Sequence, residues 1–519
     1  MPRTHLALLA TPLIGTAGIA VAAGTGAPEV RVTQGTVRGV VRDGLAVFRG
    51  MPYAAAPTGA LRFRAPQAPA SWTGVRDATR DGPACPQNQS GDPAGKASDD
   101  EDCLLLNVFT PQQQGTRRPV LVWIHGGGFN IGFSGARQYD PTPLVQEGGV
   151  VVVSINYRLG TLGLLTTQSL NTNAEPSGNY AIRDQQAALR WVQRNIAGFG
   201  GDPRNVTIAG ESAGAASVLA LVASPLSRGL FHKAIAQSPP NDSHALPRAA
   251  SQEKGAVLAE ALGCKAGPAQ AACLRALPVA AILKTRSNLA LVHDAQVLPR
   301  DPLVALRDGN FNRVPMIVGS NLHEGYFFVS GGERRLGHAM TPDEYAAEAR
   351  TAFGSDADAV MRQYPVASHP SPAAAIGEAH GDIRFACYAD LARIGASKHA
   401  PVYGYELNEP DPAQQQPRQK ISLANAAYHT SDLAYLFDYD TAPLAGDAAA
   451  LGRTMRGAWI AFARSGSPNG AGLPAWPRFQ PGNGAVLNLS RAGGQSTDFA
   501  ARHNCGPLQQ AGLVTWEPK

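Results

Sequence analysis

Gly210-Glu211-Ser212-Ala213-Gly214 sets a serine between an apolar, strand-like run, Val206-Thr207-Ile208-Ala209, and an apolar, helix-like run from Ala215 to Val222. A hydroxyl held on so sharp a strand-to-helix turn is a nucleophile lifted clear of its backbone. The turn closes only if the residues two before and two after are small, as Gly210 and Gly214 are. The Ala213 amide then opens the helix and faces any oxygen that becomes negative when Ser212 attacks. Some eighty residues earlier, His125-Gly126-Gly127-Gly128-Phe129 follows the buried-strand run Val120-Leu121-Val122-Trp123-Ile124. Three consecutive glycines let the bare amides of Gly127 and Gly128 reach a substrate oxygen with no side chain in the way. A serine nucleophile and a set of oxyanion donors together point to acyl transfer.

These pieces need a sheet with loops at one edge, and the rest of the chain supplies the pattern. Val150 to Ile155 is a nearly continuous β-branched run suited to a strand buried on both faces. Ile182, Leu189, Val192 and Ile196 share one side of a helix over Tyr180 to Ile196, which Gly198, Gly200, Gly201 and Pro203 terminate. Further strands are expected at Lys233 to Ala236, Val314 to Val318 and Val402 to Tyr405. Strands alternating with helices predict an α/β fold, a mainly parallel central sheet with helices on both faces. No internal repeat or long linker divides the chain, so residues 23–519 read as one domain. The Gly/Pro-rich segment Pro83 to Ser98 and the Gln-rich stretch Gln414 to Gln416 read as surface loops.

With 519 residues, 44% of them hydrophobic and 16% charged, the chain can bury a large core. Its net charge of +5 forms no basic run, which disfavours nucleic acid as a partner. Residues 1–22 read as a signal peptide: Arg3 near the start, an apolar stretch broken by Pro12 and Gly15, and small residues at Ala20-Val21-Ala22. Nothing later offers a membrane-spanning run, so a secreted or periplasmic product is expected. Six cysteines fit an oxidising compartment, and no C-x-x-C pair suggests a metal site. Their pairing is open from sequence. Closure of near neighbours, Cys85 with Cys103 and Cys264 with Cys273, is the simplest arrangement, each worth about 2–4 kcal/mol.

The chain resembles the type-B carboxylesterases, the group that contains the cholinesterases and para-nitrobenzyl esterases, over nearly its whole length after the leader. Besides the serine turn and glycine loop, the matching pieces are Gly50-Met51-Pro52-Tyr53-Ala54, Glu101 to Val108, Asn156-Tyr157-Arg158-Leu159-Gly160, Phe199 to Pro203 and Gly229-Leu230-Phe231. The resemblance implies an α/β-hydrolase fold, the same two cysteine pairs, and a third pair, Cys387–Cys505. It also implies the remaining catalytic members, which in this fold follow the serine as an acid and then a histidine. Glu324, in Asn321-Leu322-His323-Glu324-Gly325, is similar to the family's Asp-Glu-Gly motif with His323 in place of aspartate, and it follows an expected strand. Asp294 and Asp301 compete with it but follow no clear strand. His429, in His429-Thr430-Ser431-Asp432-Leu433, is similar to the family's His-Gly-x-Asp/Glu-Leu motif, with Thr430 in place of glycine. His338, His369, His380, His399 and His503 lack such a context, and His125 reads as a structural hydrogen-bonder.

The expected chemistry is hydrolysis of small-molecule or polymeric carboxylic esters by Ser212, Glu324 and His429, with Gly127, Gly128 and Ala213 as oxyanion donors and no metal or organic cofactor. Phe129, Phe327, Phe328 and Tyr435 are candidates for an apolar substrate pocket. Ser238-Pro239-Pro240 departs from the small residues usual in the family and would give that pocket a different wall. Alternatives on the same scaffold are a lipase, a polymer or natural-product esterase, and a carbamate or amide hydrolase. A non-catalytic binding homologue is the reading that the presence of all three catalytic types argues against.

Overall fold

The β-branched run after Val150 forms strand Val151–Ile155, with every residue buried. Such a strand needs a neighbour on each side and a helix layer on each face, and the computed structural model supplies both. It describes residues 27–518 except 91, 93, 113–116, 242–243, 286–287, 411–421, 424, 440–442, 483, 492, 494 and 497. The expected signal peptide and the Gln-rich stretch at Gln414 to Gln416 lie outside the described residues.

Eleven strands of the described residues form the main sheet: β1 Val40–Arg42, β2 Leu45–Pro52, β3 Leu105–Pro111, β4 Arg118–Ile124, β5 Val151–Ile155, β6 Gly201–Glu211, β7 Lys233–Gln237, β8 Met316–Asn321, β9 Val402–Leu407, β10 Val486–Leu489 and β11 Gln495–Ser496. Their spatial order is β11-β10-β9-β8-β7-β6-β4-β5-β3-β2-β1. The run from β5 through β4 and β6 to β10 is parallel throughout, and the strands beyond it at either edge are antiparallel. A separate three-stranded sheet pairs Glu29–Val32, Gly35–Arg38 and Val75–Asp77. The chain therefore has the α/β-hydrolase architecture. β8 starts at Met316 rather than Val314, since Pro315 has no amide to give to the ladder.

Alternation along β4 divides the core. Val122 and Ile124 face a cluster built with Ile208, Val218 and Leu219, while Leu121 and Trp123 face a second cluster with Trp459 and Phe437. Helices α1 Tyr180–Asn195 and α2 Ala213–Ala223 cover the first face and Gly446–Ser465 the second. All of α2 is buried, which explains why it is apolar on every side. Family-motif polar residues pin loops to this frame. Arg158 meets Asp184 of α1 through Nη2 and Nε, both at 2.7 Å, and Asn107 accepts from the Gly50 amide at 2.9 Å.

β4 leads to β5 on one side, and β5 then leads to β6 on the other side of β4. The carboxyl ends of β4 and β6 thus flank the point where the winding reverses, which is where a crevice opens in a parallel sheet. Both sequence motifs lie there: the glycine loop follows Ile124 and Ser212 follows Glu211. All three disulfides close in the structure, Cys85–Cys103, Cys264–Cys273 and Cys387–Cys505.

Candidate active site

Ser212 sits between β6 and α2 with φ 57° and ψ −125°, a conformation that L-residues rarely hold. Neighbouring backbone holds it there. Its amide donates to Gln237 O at 2.9 Å, and the Ala216 amide donates to Ser212 O at 3.0 Å. The strand and helix cross too tightly for a side chain on either glycine of the motif: a Cβ on Gly210 would meet Gly214 at 2.6 Å, and one on Gly214 would meet Ile124 O at 2.1 Å. The Ser212 hydroxyl makes no hydrogen bond among the described residues.

Gly127 and Gly128 turn the glycine loop through φ 99° and 59°, and Phe129 continues it at 58°. The loop is held from behind. Asn130 and Ile131 donate their amides to Gly127 O, the Gly160 amide donates to Phe129 O, and the Gln87 side chain bridges to both backbone atoms of Gly132. The amides of Gly127, Gly128 and Ala213 meet no protein acceptor among the described residues, and all three belong to the loops that meet at the crevice. His125 lies beneath, stacked on Tyr157 at 4.4 Å, with Nδ1 against Gly126 O at 2.9 Å. Burial pushes its pKa down to about 4, so it is neutral and structural at neutral pH.

Glu324 follows β8 and is fully buried. Its Oε1 accepts from the Asn321 amide at 2.6 Å and from Ser238 Oγ at 2.5 Å. Its Oε2 lies 2.7 Å from His429 Nδ1, so the imidazole donates there. The loop that carries His429 is clipped to the Glu324 loop by the His429 amide on Glu324 O and by Asn321 Nδ2 on Tyr428 O. Behind it, Asp432 accepts from Gln237 Nε2 at 2.6 Å and from Tyr405 Oη at 2.9 Å. Thr430, where the related motif has glycine, holds φ 75°.

The other imidazole nitrogen, Nε2, lies 3.2 Å from Glu211 Oε1, without hydrogen-bond geometry. Burial opposes a charged His429, but the Glu211 and Glu324 carboxylates outweigh it and push the pKa up to about 9. Burial also pushes the Glu211 carboxyl well above the usual range. The Glu211 carboxylate thus favours the proton on His429, while a charged His429 pulls Glu211 the other way, toward its ionised form.

Ser212, His429, Gly127 and Gly128 line one cavity of about 1020 Å³. Of the aromatic residues singled out in the sequence, Phe129, Phe327 and Phe328 line it too, and the Phe327 and Phe328 rings lie 5.8 and 5.4 Å from His429. Tyr435 is not among the lining residues. It lies within the short helix Leu433–Leu436, buried in the core, and its hydroxyl donates to Pro410 O at 2.9 Å. The segment Pro83 to Ser98 is more than a surface loop: Ala84, Cys85, Gln87 and Ala94 are buried, and Ser90, Asp92 and Ala94 line the cavity. Of the Ser238-Pro239-Pro240 stretch, Pro240 alone reaches the wall, while Ser238 is spent on Glu324.

Asp301 caps a helix at Leu303 and Val304, and Asp294 ties a loop through the Val297 amide, so neither competitor for the acid reaches His429. His323 is held by Glu378 at 2.7 Å. Sequence reasoning missed Phe385, whose ring lies 4.5 Å from His429, because it sits in a single π-helical turn, Asp382–Ala386, that no hydrophobic period announces. No cluster of three or more His, Cys, Asp or Glu among the described residues is arranged to hold a metal ion. No helix among them is long and apolar enough to cross a membrane.

Comparison with known proteins agrees with this architecture. The model of the "Carboxylesterase family" matches residues 26–506. Fumonisin B1 esterase of Sphingopyxis macrogoltabida is 36% identical over 501 residues, covering 92% of this chain and 90% of its own. Para-nitrobenzyl esterase of Bacillus subtilis is 33% identical over 483 residues, covering 87% and 92%. A solved PNB esterase structure superposes with a TM-score of 0.79 at 29% identity, covering 93% of this chain and all of that one. The chain belongs to the carboxylesterase family and is a carboxylic ester hydrolase of the α/β-hydrolase fold.

Proposed function

We propose that Ser212, His429 and Glu324 form the catalytic triad and that hydrolysis runs through an acyl-enzyme on Ser212. The observation that carries this reading is the 2.7 Å contact between His429 Nδ1 and Glu324 Oε2, with the serine on a left-handed turn in the same cavity. His429 takes the Ser212 proton through Nε2 as Oγ attacks the ester carbonyl, and Glu324 fixes the tautomer that leaves Nε2 free. The amides of Gly127, Gly128 and Ala213 receive the oxyanion, each contributing about 2.7–4 kcal/mol to the transition state if the cost of losing one such donor elsewhere transfers. His429 then gives its proton to the leaving alcohol, and water repeats the cycle on the acyl-enzyme. The remaining aromatic candidates, Phe129, Phe327 and Phe328, form the apolar wall beside the scissile bond.

The same reading extends to location. Three disulfides support export, with residues 1–22 removed and 23–519 acting as one hydrolase domain outside the reducing cytosol. Para-nitrophenyl esters from acetate to palmitate, offered to the wild type and to Ser212→Ala, test the chemistry. Turnover by the wild type that vanishes in a folded variant supports it, and full activity in the variant overturns it.

A further inference from the structure

The cavity over Ser212 carries a charge pattern that ester hydrolysis does not require. Lys254, Arg334 and Arg384 all line it, and each comes from a different element: α3 Arg248–Ala261, α4 Tyr326–Leu336 and the π-helical turn Asp382–Ala386. None of the three has an ion-pair partner among the described residues. The one hydrogen bond they make there is a long contact of 3.5 Å from Arg334 to Ser330 Oγ. Arg334 and Arg384 are half-buried, whereas the buried Arg158 and Arg456 have carboxylates, Asp184 and Glu147. Cations gathered on one cavity without counter-charges repel one another and leave donors unused, an arrangement that an anion relieves.

The cavity's own carboxylates do not fill that role. Glu211 faces His429 at 3.2 Å, and neither Asp92 nor Glu211 makes an ion pair with these three cations among the described residues. The placement of the cations is also ordered. On α4, Phe327, Gly331 and Arg334 follow one another by four and three residues, so they share a face. That face carries the aromatic ring beside His429 and, about 10 Å further along the helix axis, the guanidinium. On the π-helical turn, Arg384 immediately precedes Phe385, the ring 4.5 Å from His429, and both reach the cavity. Each of the two elements thus brings an aromatic ring close to His429 and an arginine to the same cavity.

We infer that this cavity selects esters that bear a free carboxylate several bonds from the scissile carbonyl, with Arg334 and Arg384 receiving the carboxylate and Lys254 adding charge at the rim. The inference rests on the ester chemistry proposed at Ser212 and names the substrate class for it. Planar guanidinium groups match a carboxylate in two-point geometry, whereas a neutral ester leaves them unpaired.

The test compares para-nitrophenyl hydrogen adipate with its methyl-capped, neutral counterpart. The wild type is expected to favour the anionic ester in kcat/KM by about tenfold, as a charge-assisted hydrogen bond allows, with the preference shrinking as salt is added. Arg334→Gln and Arg384→Gln should each lower that ratio several-fold, and Arg384→Lys should restore part of it. A wild-type ratio near unity, or a ratio that survives the double Arg334→Gln, Arg384→Gln variant, overturns the inference. A second arm does not depend on turnover: Ser212→Ala should bind the anionic ester about tenfold more tightly than the capped one. If neither ester is hydrolysed by the wild type, the reading of Ser212 falls, and equal binding of the two by Ser212→Ala still overturns the selection for anions.

Discussion

Ser238 donates its hydroxyl to Glu324 Oε1 at 2.5 Å, which leaves Oε2 to meet His429. The serine is itself held in the left-handed region, φ 52°, at the end of β7, with its amide on Gly319 O. Ser238 and the Asn321 amide together therefore fix which oxygen of the buried Glu324 faces His429. Replacing Ser238 by alanine is expected to cost about 1.5–3 kcal/mol of stability, the range for a hydrogen bond to a charged group. It should also lower kcat with little change in KM, measured by denaturant unfolding and steady-state kinetics. Unchanged kcat and stability would remove Ser238 from the account.

Glu211 is expected to shape the pH profile if His429 is the base, as proposed. A general base must be neutral, and Glu211 and Glu324 hold His429 protonated up to about 9. The acid limb of kcat/KM should therefore rise with pH through the mildly alkaline range. In Glu211→Gln one of the charges that raises the imidazole is gone, so the limb should move to lower pH. A limb at the same pH in both proteins would show that Glu211 does not act on His429.

The elbow tolerates no added carbon. Gly214→Ala drives a Cβ to within 2.1 Å of a backbone oxygen of β4, and the neighbouring backbone cannot yield without moving the glycine loop. A loss of about 3 kcal/mol or more and loss of activity are expected. Gly506→Ala is the contrast, since nothing lies within 4 Å of its added Cβ. Thermal unfolding of the two variants should separate them widely, and equal behaviour would refute the close-packing argument.

His503 gives the protein a pH-dependent brace. It is buried between Asp382 Oδ1 at 2.5 Å and Glu406 Oε1 at 2.7 Å. Burial opposes its charge, and the two carboxylates outweigh burial and push its pKa up to about 10. A histidine raised in the folded state contributes fully below its unfolded value, about 6.5, and that contribution is lost as pH rises through the folded value. His503→Gln should therefore be destabilised most below about pH 6.5, with the gap to wild type closing toward pH 10. A gap constant with pH would mean that His503 is not charged in the fold.

Much of this molecule is legible in its sequence, for identifiable reasons. Strands such as Val151–Ile155 and helix Tyr180–Asn195 announce themselves because both are buried on most sides and their apolar period is unbroken. Ser212 is legible because its backbone conformation forces glycine at both flanks, and Glu324 through the strand before it. His429 emerges only from motif resemblance, since the loop that carries it has no period. Burial of the Pro83 to Ser98 segment is hidden, because its composition speaks of turns while a disulfide to Cys103 and the Gln87 side chain on Gly132 hold it in place. The inward turn of Tyr435 and the π-helical turn that presents Arg384 and Phe385 depend on packing between distant segments, which local pattern does not carry.

The central claim is that acyl transfer runs through Ser212. The most direct measurement is intact-protein and peptide mass spectrometry of the wild type and Ser212→Ala after brief reaction with a para-nitrophenyl ester and, separately, with an organophosphate. A single adduct on the peptide carrying Ser212, absent from the folded variant, is the predicted result. An adduct on another residue, or ester turnover by the variant at the wild-type rate, would contradict the account.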